Sequence, residues 1–450
     1  MPEASPSSGG AGFSVMRTLK LGSFHVGSAL SDLLTSAVWN RILISDLGTA
    51  AWPVALLSAL RYLLAPLSLW SGYRSDQRPL LGSRRLAYIW IGRALMIVAL
   101  TLLPVTTVIL SQDVASPLGW AVAAASFTLY GAGTLTSGAP FLALVHDSAP
   151  YSRRGLVIGI VQLILIASFA FIPLLYARYM PAYDPARFTR LVFGAVLAAA
   201  IFWLFSVWGE ERSKPATTAA SNGVGLLGTF RAIWGDESTR RYAIFLGASA
   251  FFVFMQDAML EPFGGDVFGL PVGETTRFNA YWGAGVLAGM LGTLALTRRK
   301  EPHKQQGTTS IGLAGLSIAF LALGAFSILR EQAWLRPALV LFGLGLGVFT
   351  VGGLSLLMAM SREEWAGSYL GLWSVIQLVG RGTGIAMGGF LRDLALTVSG
   401  DFAAAYATVF FVEALGVALT LVLLRRVGVA RFAAGRSKGA PAGLTASSAS

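Results

Sequence analysis

The sequence predicts an all-α protein that crosses a membrane many times, and three observations support this fold class. Of the 450 residues, 55% are hydrophobic and only 12% are charged, about half the charged fraction of a typical soluble protein. Apolar stretches of about 20 residues, the length that crosses the hydrocarbon layer as a helix, recur along nearly the whole chain. The basic residues gather in short clusters between these stretches, as expected for loops on the cytoplasmic face.

The composition also argues against several function classes. The chain has no Cys, so neither disulfides nor thiol chemistry can be invoked. His25, His146 and His303 lie far apart in the sequence, which argues against a metalloenzyme. The net charge is +12, and most of the basic residues lie in predicted loops. This placement indicates contact with anionic lipid rather than with nucleic acid. No nucleophile–base pair or nucleotide-binding loop is evident, so we expect no enzymatic activity, no metal site and no intrinsic cofactor.

The first half of the chain is predicted to form a six-helix bundle at residues 21–208. Residues 1–20 are mostly small and polar at their start and predict a disordered N-terminus rather than a cleaved signal peptide. The first span is unusually polar, so one of its faces must pack against other helices. The predicted spans of this half cover approximately residues 21–44, 50–70, 86–110, 118–144, 156–176 and 191–208.

A second bundle of six helices is predicted at residues 242–426. The polar stretch at 209–241 separates the two bundles and is predicted to be a cytoplasmic linker. Residues 427–450 form a basic tail that we expect to be disordered. The predicted spans of this half cover approximately residues 242–260, 276–297, 311–329, 337–360, 368–391 and 402–424.

An internal repeat relates the two halves. The step between spans four and five reads SAPYSRRGLVIGIVQ, and the step between spans ten and eleven reads MSREEWAGSYLGLWSVIQ. Gly155 and Gly159 align with Gly367 and Gly371. The predicted architecture is therefore twelve transmembrane helices in two six-helix bundles, which is the major facilitator fold. Because Lys and Arg are concentrated in the loops on one side, both termini are expected to be cytoplasmic.

The loop GYRSDQRPLLGSRR between spans two and three resembles the cytoplasmic signature of major facilitator proteins. Gly72 and Asp76 match its spacing, and Gly82, Arg84 and Arg85 match after an insertion. We expect a latch in which Gly72 allows close helix contact and Asp76 pairs with a helix terminus or an arginine. The alternative is a solvated basic loop. The corresponding loop of the second half lacks the aspartate.

Four segments make the resemblance closer than a superfamily, and they occur in both halves of the chain. On these segments the chain resembles the PucC/LhaA family, the bacteriochlorophyll-delivery branch of the major facilitator superfamily. The most specific of the four has the pattern QDxxLEPxGGxVxGL. The segments are NRILISDLG, LRYLLAPLSLWSGYRSDQRPLLGSRRLAYIW, QDAMLEPFGGDVFGL and RGTGIAMGGFLRDL.

The resemblance implies a function in the assembly of light-harvesting antenna complexes at the bacterial inner membrane, in its photosynthetic intracytoplasmic part. The implied cargo is bacteriochlorophyll, antenna polypeptides or both, and enzymes of bacteriochlorophyll synthesis are further candidate partners. The alternative is a secondary transporter that moves a tetrapyrrole or another small molecule by alternating access. Fold alone does not distinguish these functions.

A pigment-binding protein needs an apolar cleft, aromatic surfaces and one axial ligand for the pigment's magnesium. His25 is the only histidine within a predicted span and is the first candidate ligand, with Gln256 and Gln377 as further candidates. The alternative for His25 is an interfacial histidine without a ligand. Aromatic side chains of the second half are candidates for stacking on the ring, although plain packing would explain them too: Phe251, Phe252, Phe254, Tyr281, Trp282 and Trp373.

Six charged residues lie within or at the ends of predicted spans, where charge is costly unless it is paired or functional. We expect intramembrane ion pairs among them, with structural pairing as the role of Arg93. Asp257 and Arg381 belong to one half and are candidate cargo-binding residues facing the cavity between the bundles. The six residues are Asp32, Arg61, Arg93, Asp257, Glu261 and Arg381.

The stretch QDAMLEPFGGDVFGLPVGETTR interrupts span seven with polar groups. Pro262, Gly264 and Gly265 are expected to break the helix there. We interpret the part from Glu261 to Gly269 as a gate or docking loop at the extracytoplasmic end of the span. In this stretch, only Gln256 and Asp257 are expected to lie deep enough to contact a cargo in the cavity.

Overall fold

The computed structural model describes residues 14–77, 80, 83, 85–149, 153–210, 234–235, 237–297, 305–360 and 366–427. Within these residues the regular structure is helical, apart from one isolated bridge between Leu80 and Ser83. The all-α prediction is therefore confirmed. The tail at 428–450 and most of the predicted N-terminal segment and linker lie outside the described residues.

The first helical run changes its hydrogen-bonding pattern three times. It contains α1 (Val15–Leu33), a π-helical segment at Leu34–Val38, the single turn α2 (Trp39–Arg41) and a second π-helical segment at Ile42–Asp46. Such π segments are rare and occur frequently at functional sites. The helices that follow are α3 (Ala51–Leu63), α4 (Pro66–Gln77), α5 (Leu86–Thr101), α6 (Leu103–Gln112), α7 (Pro117–Ser148), α8 (Arg154–Tyr179) and α9 (Pro185–Val207).

The remaining helices begin with a broken pair. A 3₁₀ segment at Met255–Ala258 separates α10 (Glu237–Val253) from α11 (Leu260–Phe268). The two parts are bent by 45° relative to each other. The other helices are α12 (Val272–Thr297), α13 (Gln306–Leu329), α14 (Leu335–Ala359), α15 (Ala366–Ser399) and α16 (Phe402–Val427).

The prediction of a multi-pass membrane protein is confirmed. Among the described residues, nine helices are long and apolar enough to cross a membrane, and the bent pair α10–α11 adds a tenth. The other two predicted spans correspond to the first helical run and to α15. Both carry several charged side chains, which lower their apolar character. The count of twelve stays a prediction.

The described residues divide into two compact units. The first unit contains residues 14–35, 66–180 and 184–210, and the second contains residues 36–65, 181–183 and the described part of 234–427. In the first unit α5 packs on α7, and α1 packs on α8 and α9. In the second unit α14 packs on α12 and α13, and α3 packs along α15. The second half of the first helical run and α3 therefore belong to the second unit.

Small residues bring α5 and α7 of the first unit close together. A Cβ atom on Gly92 would meet the carbonyl oxygen of Gly133, and a Cβ on Gly133 would meet that of Gly92. Only glycine at both positions allows this approach, which is typical of close helix packing in membranes.

The position of the helix break differs from the sequence-based expectation. The α-helix ends at Val253, before Gln256, and Pro262 lies within α11. Pro262 occupies the first turn of α11, where its missing N–H has no intrahelical acceptor, so it does not break the helix. Gly265 is also helical, and its missing side chain leaves room for the Arg41 guanidinium. Gly269, with φ +66°, ends α11.

Candidate functional site

The first unit contains a cavity of about 230 Å³, which we call the first-unit cavity. It brings together residues that are distant in sequence, from α1, α5, α7 and α8. Three lining residues carry titratable or charged groups: His25, Asp32 and Arg93. The other lining residues are Phe24, Ser28, Met96, Thr134, Gly138, Phe141, Leu142, Gln162 and Leu165.

His25 lies beside a stacked aromatic pair in this cavity. The rings of Phe24 and Phe141 stack with their centroids 3.7 Å apart. The imidazole meets Phe141 edge-on at 5.3 Å. Its Nε2 atom is buried, and no described group forms a hydrogen bond with it. This ring nitrogen therefore has a bonding capacity that no described group uses.

Arg93 is the buried cation of the cavity, with 4% of its surface exposed. Its guanidinium carbon lies 4.2 Å from the ring centroid of Phe24 and 4.7 Å from that of Trp203. Nη1 donates to the sulfur of Met96 at 3.0 Å, and Nε is buried without a hydrogen-bond partner among the described residues. Cation–π contacts therefore contribute to the stabilisation of this charge.

Asp32 shares the cavity with Arg93, but the two do not form the ion pair that the sequence suggested. The Tyr130 hydroxyl donates to Asp32 Oδ1 at 2.5 Å. Within the described residues, no carboxylate oxygen lies within 4.0 Å of the Arg93 guanidinium. The expected structural pairing of Arg93 thus does not occur, because aromatic rings surround its guanidinium and a tyrosine occupies the carboxylate.

In the second unit, Asp257 and Arg381 lie together. They form an ion pair of 2.7 Å between Oδ2 and Nη2. The Arg381 guanidinium also lies 4.0 Å from the Phe254 ring centroid and 4.5 Å from that of Tyr62. Arg61 lies over the same Tyr62 ring at 4.7 Å. The pair joins α15 to the 3₁₀ segment that interrupts span seven.

The other polar residues of this region are buried and form hydrogen bonds with one another or with the backbone. Asn279 donates a hydrogen bond of 2.5 Å to Glu261 Oε1, so the partner of this carboxylate is an amide. Glu413 accepts a hydrogen bond of 2.6 Å from the backbone N–H of Gln256. A buried carboxylate thereby satisfies a backbone donor in the 3₁₀ segment where the helix is interrupted.

A charged cluster that sequence analysis missed lies near the C-terminal part of α15. Arg392 forms ion pairs with Asp266 at 2.6 Å and with Asp393 at 2.8 Å. The Tyr406 hydroxyl donates to Asp266 at 2.7 Å. Asp393 also accepts from two backbone N–H groups at the start of α3, which caps that helix. We call Asp266, Arg392, Asp393 and Tyr406 the second-unit cluster.

Arg41 is a further charged residue for which the sequence analysis predicted no role. It forms an ion pair of 3.0 Å with Asp46 and donates to the carbonyl oxygen of Leu270 at 2.8 Å. Arg41 lies in one of the segments that carry the family resemblance, as do Asp266, Arg392 and Asp393 of the second-unit cluster. The sequence feature that could have identified these contacts is the presence of charged residues within apolar stretches.

The candidate stacking residues do not form one wall. Phe251 and Phe252 pack against each other, Trp282 packs against Phe342, and Trp373 packs against Tyr242. The Tyr281 ring lies under Arg336. Gln377 is half-buried on α15. These contacts resemble ordinary helix packing within the second unit.

The predicted latch is described only in part. Gly72 lies on α4, and a Cβ there would meet Ala139 at 3.4 Å, an ordinary contact. Arg85 forms an ion pair of 2.6 Å with Asp147. Gly82 and Arg84 lie outside the described residues, as does the side chain of Asp76.

The two regions offer different chemistry. The first-unit cavity presents an imidazole nitrogen and a guanidinium beside aromatic rings, which suits a planar ligand with a metal centre and a peripheral oxygen atom. No group of three or more metal-ligating side chains occurs in the described part of the chain. In the second unit the charged groups mainly bind one another.

Comparison with known sequences places this chain among named relatives. A sequence model for the PUCC protein family matches residues 38–432. The chain is 30% identical over 394 residues to Protein PucC of Rhodovulum sulfidophilum, covering 84% of this chain and 85% of the relative. It is 29% identical over 427 residues to the bacteriochlorophyll synthase 44.5 kDa chain of Rhodobacter capsulatus, covering 93% and 97% respectively.

Comparison with solved structures identifies the fold. A POT family transporter in complex with 5-aminolevulinic acid matches with a TM-score of 0.68 at 12% identity, over 91% of this chain and 96% of that structure. A D-xylose-proton symporter matches with a TM-score of 0.65 at 12% identity, over 90% and 97%. The predicted major facilitator fold is confirmed by these similarities.

Proposed function

This chain belongs to the PucC family, and from this premise we propose that it is an assembly factor for bacterial light-harvesting antenna complexes. It would bind or deliver bacteriochlorophyll, antenna polypeptides or both, and enzymes of bacteriochlorophyll synthesis are further proposed partners. The name of the Rhodobacter capsulatus relative, a bacteriochlorophyll synthase chain, supports this pigment class. Its proposed location is the inner membrane, in the photosynthetic intracytoplasmic part, with both termini in the cytoplasm.

The observation that carries the pigment proposal is the placement of His25. Its Nε2 is buried without a hydrogen-bond partner among the described residues, beside the stacked Phe24 and Phe141 rings. The magnesium of a bacteriochlorophyll accepts one axial ligand, and a neutral imidazole is a suitable one. The pigment would be a cargo of the protein, not its resident cofactor.

We do not propose an enzymatic step on the pigment. The chain lacks Cys, which removes the thiol nucleophile of covalent catalysis. The relatives and the similar structures are membrane proteins of transporter-like fold. Binding and hand-over are therefore the proposed activity.

The second candidate function is secondary transport of a tetrapyrrole or another small molecule by alternating access. The major facilitator fold of the similar transporters favours it. The π-helical segments of the first helical run and the 3₁₀ interruption of span seven are positions where helices of moving proteins commonly bend.

Purification from a phototrophic membrane separates the two functions. The chain would be expressed with an affinity tag in a Rhodobacter capsulatus strain that lacks its own relatives, and then purified in a mild detergent. Co-purification of antenna polypeptides and bacteriochlorophyll is expected for an assembly factor. Solute flux into liposomes that contain only this chain, without co-purifying antenna polypeptides, would support transport and contradict the assembly proposal.

A further inference from the structure

The buried guanidinium of Arg93 has no anion in contact with it among the described residues. Only 4% of the residue's surface is exposed, and the side chain lines the first-unit cavity. A buried cation is costly unless an anion or several hydrogen bonds compensate it. The only side-chain hydrogen bond that its guanidinium makes within the described residues goes to a thioether sulfur, which is a weak acceptor.

Of the described polar groups that line the cavity, Asp32 supplies a negative charge that acts on Arg93, but no anion in contact with the guanidinium. Asp32 is engaged by the Tyr130 hydroxyl and lies beyond 4.0 Å from the guanidinium. His25 contributes an imidazole, and Ser28, Thr134 and Gln162 contribute neutral groups. Arg93 is therefore the strongest donor that the described cavity lining offers to a bound molecule, while Asp32 limits how much negative charge the cavity tolerates.

We propose that the first-unit cavity recognises a free carboxylate on its ligand, held by Arg93. The inference rests on the proposed function for the body of the ligand, a metal tetrapyrrole bound at His25. It narrows that ligand to the free-acid form of the pigment, before its propionate side chain is esterified, because bacteriochlorophyll itself is an ester at this position. A carboxylate accepts charge-assisted hydrogen bonds from a guanidinium, whereas an ester offers only a neutral carbonyl oxygen.

The volume of the first-unit cavity is large enough for part of such a ligand but not for the whole of it. Pockets that enclose a whole drug-sized molecule measure roughly 300–1,000 Å³, and the first-unit cavity measures about 230 Å³. It therefore holds only the part of the macrocycle between the metal centre, at His25, and the acid group, at Arg93, and the rest of the ring lies outside it. The small Gly138 on α7, with open space around it, leaves room for that edge.

The test compares two forms of one pigment on the full-length protein in lipid nanodiscs. The probes are zinc pheophorbide a, which has a free propionic acid, and its methyl ester, both followed by absorption and fluorescence titration. Zinc also accepts an imidazole ligand, and empty nanodiscs correct for partition into lipid. We expect the acid to bind about 10- to 100-fold more tightly than the ester, the difference that a charge-assisted hydrogen bond makes.

Variants assign the preference to Arg93. Arg93→Met retains the aliphatic stem and is expected to bind both forms with equal affinity. Arg93→Lys is expected to keep part of the preference, because it keeps the charge but loses the planar fork. Arg61→Met is the matched control, since Arg61 is an arginine of the second unit outside this cavity, and it should keep the full preference for the acid.

The outcomes separate this inference from the function on which it rests. Equal affinity for acid and ester in the unmodified protein overturns the carboxylate inference, whatever the variants do, and leaves His25 as a pigment ligand intact. If neither form binds, the pigment site at His25 is overturned as well. A preference that persists in Arg93→Met would assign the selection to another residue and would contradict the inference.

Discussion

Arg93 of the first unit is stabilised differently from Arg381 and Arg392 of the second unit. In the second unit, Arg381 and Arg392 each have an aspartate within 2.7 Å. In the first unit, Arg93 is more than 4.0 Å from every described carboxylate and lies between aromatic rings, at the wall of a cavity. Burial is similar for Arg93 and Arg392, at 4% and 3% exposed, so it does not explain the difference.

This difference distinguishes arginines that join helices from an arginine that retains hydrogen-bond donors for a ligand. An arginine with an aspartate partner has satisfied most of its electrostatic demand and mainly ties helices together. An arginine stabilised by aromatic rings retains donors for a ligand. We therefore assign helix joining to the charged groups of the second unit and ligand binding to the first-unit cavity, and the following variants test this assignment from the largest expected effect to the smallest.

The largest loss of stability is expected from breaking the second-unit cluster. Arg392→Leu leaves Asp266 buried without its cation, and the two side chains are only 4% and 6% exposed. Breaking such a pair costs about 3–5 kcal/mol of the free energy of unfolding. Thermal unfolding in detergent measures the loss. The double variant with Asp266→Leu should recover part of it, and an Arg392→Leu protein as stable as the unmodified one would contradict the structural assignment.

A smaller loss is expected at the Asp257–Arg381 pair, whose side chains are 19% and 30% exposed. Asp257→Arg places a second cation beside Arg381, at a cost of roughly 2–3 kcal/mol after allowance for this exposure. We expect antenna accumulation to be lost while the protein remains in the membrane, as measured by immunoblot and whole-cell absorption. The charge swap Asp257→Arg with Arg381→Asp should restore accumulation. Normal antenna levels in Asp257→Arg would show that the pair is dispensable.

Substitution at Gly265 tests the packing around Arg41. A Cβ at this position would overlap the Arg41 guanidinium, so Gly265→Ala must displace Arg41 from its contact with Leu270. Overpacking of this kind costs about 1–3 kcal/mol. The decrease in melting temperature should be smaller than for Arg392→Leu. An unchanged melting temperature would mean that Arg41 moves without cost.

The smallest effect is expected at Gly72 in the predicted latch. Its Cβ would meet Ala139 at an ordinary contact distance, and Ala favours the helix over Gly by up to about 1 kcal/mol. Gly72→Ala should therefore leave the melting temperature unchanged or raise it. If antenna accumulation falls while stability does not, Gly72 acts in a movement of the latch; a fall in stability would show closer packing than the structure has.

Local patterns in the sequence predicted the helices well, because an apolar run of about 20 residues has few alternatives in a bilayer. The position of the break in span seven was wrong, since Pro262 and Gly265 suggested a break that the structure places earlier. The interruption there coincides with Glu413, which accepts a hydrogen bond from the Gln256 backbone. That partner lies on another helix, 157 residues away, and no local rule reveals it.

The sequence predicted which residues belong to the site but not which residues they contact. Arg93, Asp32 and His25 were identified because charged and polar groups are rare in membrane spans. Their arrangement depends on Tyr130 and Trp203, whose contacts arise from the packing of α1, α7 and α9. The second-unit cluster likewise unites segments that are more than 100 residues apart, as in the 126 between Asp266 and Arg392.

The most direct test of the central claim is the absorption spectrum of the protein purified gently from a phototrophic membrane. We expect a magnesium-tetrapyrrole band that is lost in His25→Ala, in the first-unit cavity, and retained in Gln256→Ala, in the second unit. Both variants should be matched for yield and melting temperature before the spectra are compared. A band that survives in His25→Ala and disappears in Gln256→Ala would place the pigment in the second unit and contradict the assignment of ligand binding to the first-unit cavity.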